Sequence, residues 1–150
     1  MLKFARDVKD IRIIDLMAVY SLRDSYSEMQ IFYLDLLSFF EEPLAIYALW
    51  VVDDCYCAAL RLEPYKDGFL VAGLETHPDK RNKGYATMLL NAVAEYTNSK
   101  LYSHVDRNNR ISLRVHEKCG FQTALDYAVY LDGGISRKAI TMCKIKRADT

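Results

Sequence analysis

The stretch Thr76-His77-Pro78-Asp79-Lys80-Arg81-Asn82-Lys83-Gly84-Tyr85-Ala86 joins two segments of different periodicity. Before it, Gly68–Thr76 reads as a strand that His77-Pro78 brings to an end. After it, Ala86, Leu89 or Leu90, Val93 and Tyr96 or Thr97 recur at the spacing of an amphipathic helix. A basic, glycine-containing loop that opens a helix is a site for phosphate oxygens. The N–H groups of the first turn have no intrahelical partner, and the helix dipole is positive there. Gly84 has no Cβ and admits unusual φ, so the backbone can approach an anion closely, and the small Ala86 keeps that approach open. Arg81, Asn82, Lys83, Gly84, Tyr85 and Ala86 are therefore the candidate cofactor-binding residues. The alternative is a solvated turn in which Lys80, Arg81 and Lys83 only aid solubility.

The loop matches neither Gly-x-x-x-x-Gly-Lys-Ser/Thr nor Gly-x-Gly-x-x-Gly, which demotes P-loop and Rossmann nucleotide binding. Lys83-Gly84-Tyr85-Ala86 has the first four positions of an RNA-recognition core, but that motif must be a strand. Here Thr87, Met88, Leu89 and Leu90 continue a helix.

Outward from the loop, residues 2–8 read as a first strand. A helix starting at Asp10 carries Ile11, Ile14, Met17 or Ala18, and Leu22 at three- and four-residue spacing. A second helix over Glu28–Glu42 carries Ile31, Leu34 and Leu37 or Ser38, and stops before Pro43. Leu44–Val52, the turn Asp53-Asp54 and Cys55–Leu62 form a hairpin. Beyond the central helix come a strand Leu101–Val105, a helix Asn108–Cys119, and strands Phe121–Leu131 and Arg137–Ile145 around Gly133-Gly134. The order β-α-α-β-β-β-α-β-α-β-β specifies an α/β (α+β) domain of three layers over residues 1–150, a mixed, mostly antiparallel sheet flanked by helices.

Two blocks carry a family resemblance. Arg81-x-x-Gly84-x-Ala86 after His77-Pro78 resembles the Gln/Arg-x-x-Gly-x-Gly/Ala signature of the GNAT acyl-CoA N-acyltransferases. Asn109-x-x-Ser112-x-x-Val115-His116-Glu117-Lys118-x-Gly120-Phe121 resembles that family's later segment, commonly Asn-x-x-Ala-x-x-Leu-Tyr-Glu-Lys-x-Gly-Phe. The resemblance implies acetyl-CoA as co-substrate, its pyrophosphate cradled by residues 81–86 and its pantetheine arm carried along Gly68–Thr76, and no metal. The expected reaction is acetyl transfer to a primary amine by direct attack in a ternary complex. A CoA-binding sensor or scaffold that has lost catalysis is the alternative.

Moving an acyl group from a thioester to an amine requires a neutral amine, stabilisation of an oxyanion, and a proton for the departing thiolate. Glu75, near the end of the strand that enters the loop, is the candidate base, against a plain surface carboxylate. The resemblance puts oxyanion stabilisation on a backbone N–H around Leu74–Thr76, conditional on a splay or bulge in that strand. The proton source is where the chain departs from the family, since His116 replaces the usual tyrosine. Three roles compete for it: an acid, its pKa raised by the helix C-terminus; a partner to the CoA arm; or none. Tyr127, Tyr130 or water are the other sources. Asn109, Ser112 and His116 are spaced to share one helix face, with Asn109 expected either on the pantetheine or as a helix cap. Gly120 reads as a helix C-cap anchored by Phe121.

The chain has 20 Lys plus Arg and 20 Asp plus Glu, which excludes a uniformly cationic nucleic-acid or membrane binder. The neutral sum conceals a division. Residues 1–75 hold 7 basic and 13 acidic residues, and residues 76–150 hold 13 and 7. The basic half contains the phosphate loop. The acidic half contains Asp24, Glu28, Asp35, Glu41 and Glu42, with Tyr26, Phe32 and Tyr33, where the resemblance puts a wall of the acceptor site for a small-molecule or peptide amine. A homodimer is an allowed assembly. The longest apolar run, Leu44–Val52, is too short for the ~20 residues of a membrane helix. The N-terminus lacks a signal-peptide core, so a cytoplasmic location is the default. Cys55, Cys57, Cys119 and Cys143 form no zinc pattern and read as reduced thiols.

Overall fold

Asp53 and Asp54 both take left-handed φ, 49° and 60°, the conformation that joins two antiparallel strands by a two-residue turn. They connect β2 (Ile46–Val52) to β3 (Cys55–Tyr65) in the expected hairpin, with β3 running three residues further than the pattern suggested. The computed structural model describes residues 1–145, so the end of the expected 1–150 domain lies outside the described residues. Around the hairpin lie β1 (Leu2–Ala5), α1 (Ile13–Val19), α2 (Tyr26–Phe39), β4 (Gly68–Thr76), α3 (Tyr85–Thr97), β5 (Leu101–Asp106) and α4 (Arg110–Lys118). The chain ends in β6 (Gln122–Leu125), β7 (Ala128–Val129), β8 (Ile135–Ser136) and β9 (Ala139–Lys144).

Seven strands form one sheet in the order β1-β2-β3-β4-β5-β9-β6, with β7 and β8 a separate ribbon. Among the described residues only β4 and β5 run parallel. Leu89, Leu90 and Val93 of α3 pack on Ala48, Ala58, Leu60 and Leu62 on one face. Leu16, Met17 and Val19 of α1 and Phe32 and Leu36 of α2 pack on Tyr47, Leu49 and Ala59 on the other. This is the expected three-layer α/β arrangement. The single strand expected over Phe121–Leu131 is instead β6 and β7, separated by a bend, and β8 is an additional short element.

The two N-terminal helices face differently from the expectation. In α2, Ile31 and Leu34 are 69% and 63% exposed, whereas Phe32 and Leu36 are buried. In α1 the difference is partial: Ile11, just before the helix, and Met17 are buried as expected, with Leu16 and Val19, whereas Ile14 is exposed and Leu22 lies exposed beyond the helix end. The cause is ambiguity in the pattern: Phe32, Leu36 and Phe39 also recur at helical spacing, and the stripe with the rings wins the sheet. The start of α2 is set by Ser25, whose Oγ accepts from the Glu28 N–H at 3.3 Å, so the helix begins before Glu28.

Candidate active site

β4 and β5 pair only through Phe69–Leu101, Leu70–Tyr102 and Val71–Ser103. Beyond Val71, β4 continues beside β3 to Thr76 and β5 continues beside β9 to Asp106, so the two strands part. On the free stretch β4 is irregular. Ala72 opposes Arg61 and Glu75 opposes Ala59, leaving Gly73 and Leu74 against Leu60 alone. One extra residue in one strand is a β-bulge, and Gly73 at φ +62° supplies the left-handed turn it needs. The splay and the bulge that sequence reasoning required around Leu74–Thr76 are both present. Glu75 is exposed, and its partner Ala59 belongs to the core under α1 and α2, so its register position is on that face.

The bulge carbonyl is held from α1. The Tyr20 hydroxyl donates to Gly73 O at 2.7 Å and accepts from the Tyr47 hydroxyl at 2.7 Å. Burial first, then Tyr47, push the Tyr20 phenol well above its ordinary pKa, so it remains a neutral donor throughout the physiological range.

At the end of β4, His77 caps a 3-10 turn over Pro78–Lys80 by accepting the Asp79 N–H at 3.0 Å. The loop then passes through two left-handed residues, Asn82 at φ +65° and Gly84 at φ +78°. Gly84 is the N-cap of α3 and carries no capping side chain. The first i to i−4 bond runs from Met88 N–H to Gly84 O, so the N–H groups of Tyr85, Ala86 and Thr87 precede the helical ladder. A Cβ on Gly84 would meet no atom within 4 Å. Arg81, Asn82, Lys83 and Gly84 are exposed, and among the described residues Lys80, Arg81 and Lys83 make no ion pair. An open run of N–H groups beside uncommitted cations is a fitting cradle for a pyrophosphate.

α4 brings Asn109, Ser112 and His116 together. Asn109 Oδ1 accepts from the Ser112 N–H at 3.0 Å, the capping alternative for this residue. His116 Nδ1 lies 2.7 Å from Ser112 O and 3.4 Å from its Oγ. Gly120 at φ +87° ends the helix, with Gly120 N–H to Glu117 O and Phe121 N–H to His116 O closing the cap. The expected upward shift of His116 is corrected: the ring is 1% exposed, and burial lowers its pKa. A carbonyl can only accept, so Nδ1 carries the proton of the neutral ring, and Nε2 is a buried acceptor without a partner among the described residues. Desolvation outweighs the hydrogen bond to the Ser112 backbone, which acts in the raising direction.

Sequence reasoning missed Tyr20, Tyr47 and His104. His104 lies on β5 one residue beyond the last pairing with β4, between the rings of Tyr65 and Tyr130 at 5.5 and 5.4 Å. Burial, and then the charge of Lys66, lower its pKa. Nothing local marks these residues, because each acquires its place through partners far along the chain. Tyr130, just past β7, is 46% exposed, whereas Tyr127 is half-buried in the bend before β7. Of the expected acceptor wall, Phe32 is in the core, Tyr26 and Tyr33 are exposed, and Asp35 is paired with Arg61. Among the described residues no cluster of His, Cys, Asp or Glu has the arrangement of a metal site, and no helix is long and apolar enough to cross a membrane.

No functionally curated protein matches the sequence. The fold matches many solved structures. An aminoglycoside 6'-acetyltransferase type Ii superposes with a TM-score of 0.72 at 15% identity, covering 100% of this chain and 99% of that one. A spermidine/spermine N-acetyltransferase, SpeG, from Vibrio cholerae gives 0.66 at 18% identity, covering 97% and 92%. A PaiA N-acetyltransferase from Thermoplasma acidophilum, solved with coenzyme A, gives 0.62 at 13% identity, covering 97% and 99%. At these identities the likeness establishes the fold. The sequence profile of the acetyltransferase (GNAT) family matches residues 11–121, and with the parted strands and the glycine loop already in place, the chain belongs to that family.

Proposed function

We propose that this protein is an N-acetyltransferase that moves an acetyl group from acetyl-CoA to a primary amine on a small molecule or peptide. The observation that carries the proposal is the coincidence of two backbone features at one end of β4: the bulge at Gly73 and the open α3 N-terminus at Gly84. Arg81, Asn82, Lys83, Gly84, Tyr85 and Ala86 would hold the pyrophosphate, with the backbone from Leu74 to Thr76 along the pantetheine and Asn109 and Ser112 at its flank. Glu75 would take the proton of the attacking ammonium group, directly or through water, and a peptide N–H around Leu74 would face the thioester carbonyl. The amine nitrogen bonds to the carbonyl carbon, the C–S bond breaks, and the CoA thiolate leaves with a proton. Water is the proposed source of that proton, with the Tyr127 and Tyr130 hydroxyls as alternatives, because the neutral His116 ring directs its N–H at Ser112 O.

The test is incubation with acetyl-CoA and a panel of polyamines, amino acids, aminoglycosides and peptides, with release of free thiol measured. Turnover with any acceptor supports the transferase. Tight CoA binding without turnover across the panel supports the sensor alternative, for which the departure from the family tyrosine at His116 is the specific observation.

A further inference from the structure

The hydrogen-bond chain from Tyr47 through Tyr20 to Gly73 joins residues 27 and 53 positions apart and ends on the one carbonyl at the bulge. We infer that Tyr20, with its hydroxyl oriented by Tyr47, is a positioning residue that sets the plane of the Gly73–Leu74 peptide and so aims the N–H offered to the thioester carbonyl. The inference rests on the acetyl-transfer proposal and deepens it.

A trans peptide is planar, and its C=O and N–H point in opposite directions. With Gly73 O drawn toward Tyr20 at the C-cap of α1, the Leu74 N–H of the same peptide is turned away from that residue. A left-handed glycine at a bulge has wide freedom, and β5 offers no ladder bonds to this stretch of β4 because the two strands have parted. An outside anchor therefore decides the orientation. Tyr20 is suited to the task. Its hydroxyl has one proton, which it gives to Gly73 O, while its oxygen accepts from Tyr47, a fully buried side chain in the core beneath α1. The fit is close from the other side as well: a Cβ on Gly73 would lie 3.3 Å from the Tyr20 hydroxyl. The Tyr20 ring also packs against Phe32 at 6.4 Å between centroids, so removing the hydroxyl alone separates positioning from packing.

The experiment compares wild type, Tyr20→Phe and Tyr47→Phe by calorimetric titration with acetonyl-CoA, a ketone analogue that cannot be cleaved, and with CoA. Only the first presents a carbonyl to the bulge. Tyr20→Phe is expected to cut the affinity ratio of acetonyl-CoA to CoA five- to tenfold while leaving the affinity for CoA itself within twofold, and to lower kcat with an unchanged KM for acetyl-CoA. Tyr47→Phe is expected to give a two- to threefold loss of the same ratio, and it carries the test should Tyr20→Phe fail to fold. A wild-type ratio retained in Tyr20→Phe, or in Tyr47→Phe where that variant stands in for it, overturns the inference. Wild-type protein that binds neither compound overturns the acetyl-transfer reading, and the inference with it.

Discussion

Gly84→Asp tests the phosphate loop without touching the core. Gly84 is exposed, and a Cβ there meets nothing within 4 Å, so the substitution introduces no clash within the protein. Its intrinsic cost comes from φ +78°, about 1–2 kcal/mol for a residue with a side chain in the left-handed region. Gly84→Ala carries that cost alone and serves as the control for the ligand-free melting temperature. The added carboxylate acts on the ligand. At about 5 Å from a phosphate charge, with an effective dielectric constant near 20, repulsion is about 3 kcal/mol, and solvent at this exposed loop reduces it to roughly 2–3 kcal/mol. The dissociation constant for CoA should therefore rise roughly 30- to 150-fold. Differential scanning fluorimetry reads this directly. CoA at 100 times the wild-type Kd stabilises the native state by about 2.7 kcal/mol, and at about 2–4 °C per kcal/mol for a domain of this size Tm rises by about 5–11 °C. At the same concentration a variant with a 100-fold weaker Kd gains only about 0.4 kcal/mol, or about 1–2 °C. A full wild-type shift in Gly84→Asp would show that the pyrophosphate does not sit on this loop.

Glu75→Gln should lower kcat about 100-fold or more, the usual worth of a positioned base, while CoA affinity measured by calorimetry stays unchanged; a loss under threefold returns Glu75 to the role of a surface carboxylate. His116→Phe should leave the pH–rate profile unchanged, and a wild-type alkaline limb that disappears in the variant would restore His116 as the acid. The same variant tests stability against pH. Burial holds the folded pKa below the unfolded value near 6.5, so stability is complete above that value and falls as acid protonates the unfolded chain first; Tm of wild type should drop more than that of His116→Phe between pH 7 and pH 5. Leu36→Ala should cost about 2–5 kcal/mol in chemical denaturation and Leu34→Ala under about 0.5 kcal/mol, and the reverse order would mean that α2 packs its other face on the sheet.

Much of the end proposed for the cofactor was legible from local chemistry. The helical spacing of Leu89, Leu90 and Val93, the glycine at the head of α3 and the Gly120 stop each depend on residues within about one helical turn, and the structure has all three. The extent of β4 also matched, because Gly68 and His77-Pro78 bound it on both sides. The N-terminal helices were less legible because each carries more than one apolar stripe, and periodicity cannot choose between stripes that both satisfy it.

By itself, then, the sequence determined the order of elements as far as α4, the basic glycine loop at the head of α3 and the family to which the chain belongs. Tertiary structure alone decided that β4 parts from β5 after Val71, that an extra residue bulges at Gly73, that His116 is sealed from water and that Tyr20 meets the bulge. The division has one physical cause. Backbone φ, capping and helical neighbours are fixed by residues adjacent in the chain, whereas strand partings, desolvation and the Tyr47–Tyr20–Gly73 contacts depend on surfaces that meet only when the sheet has formed.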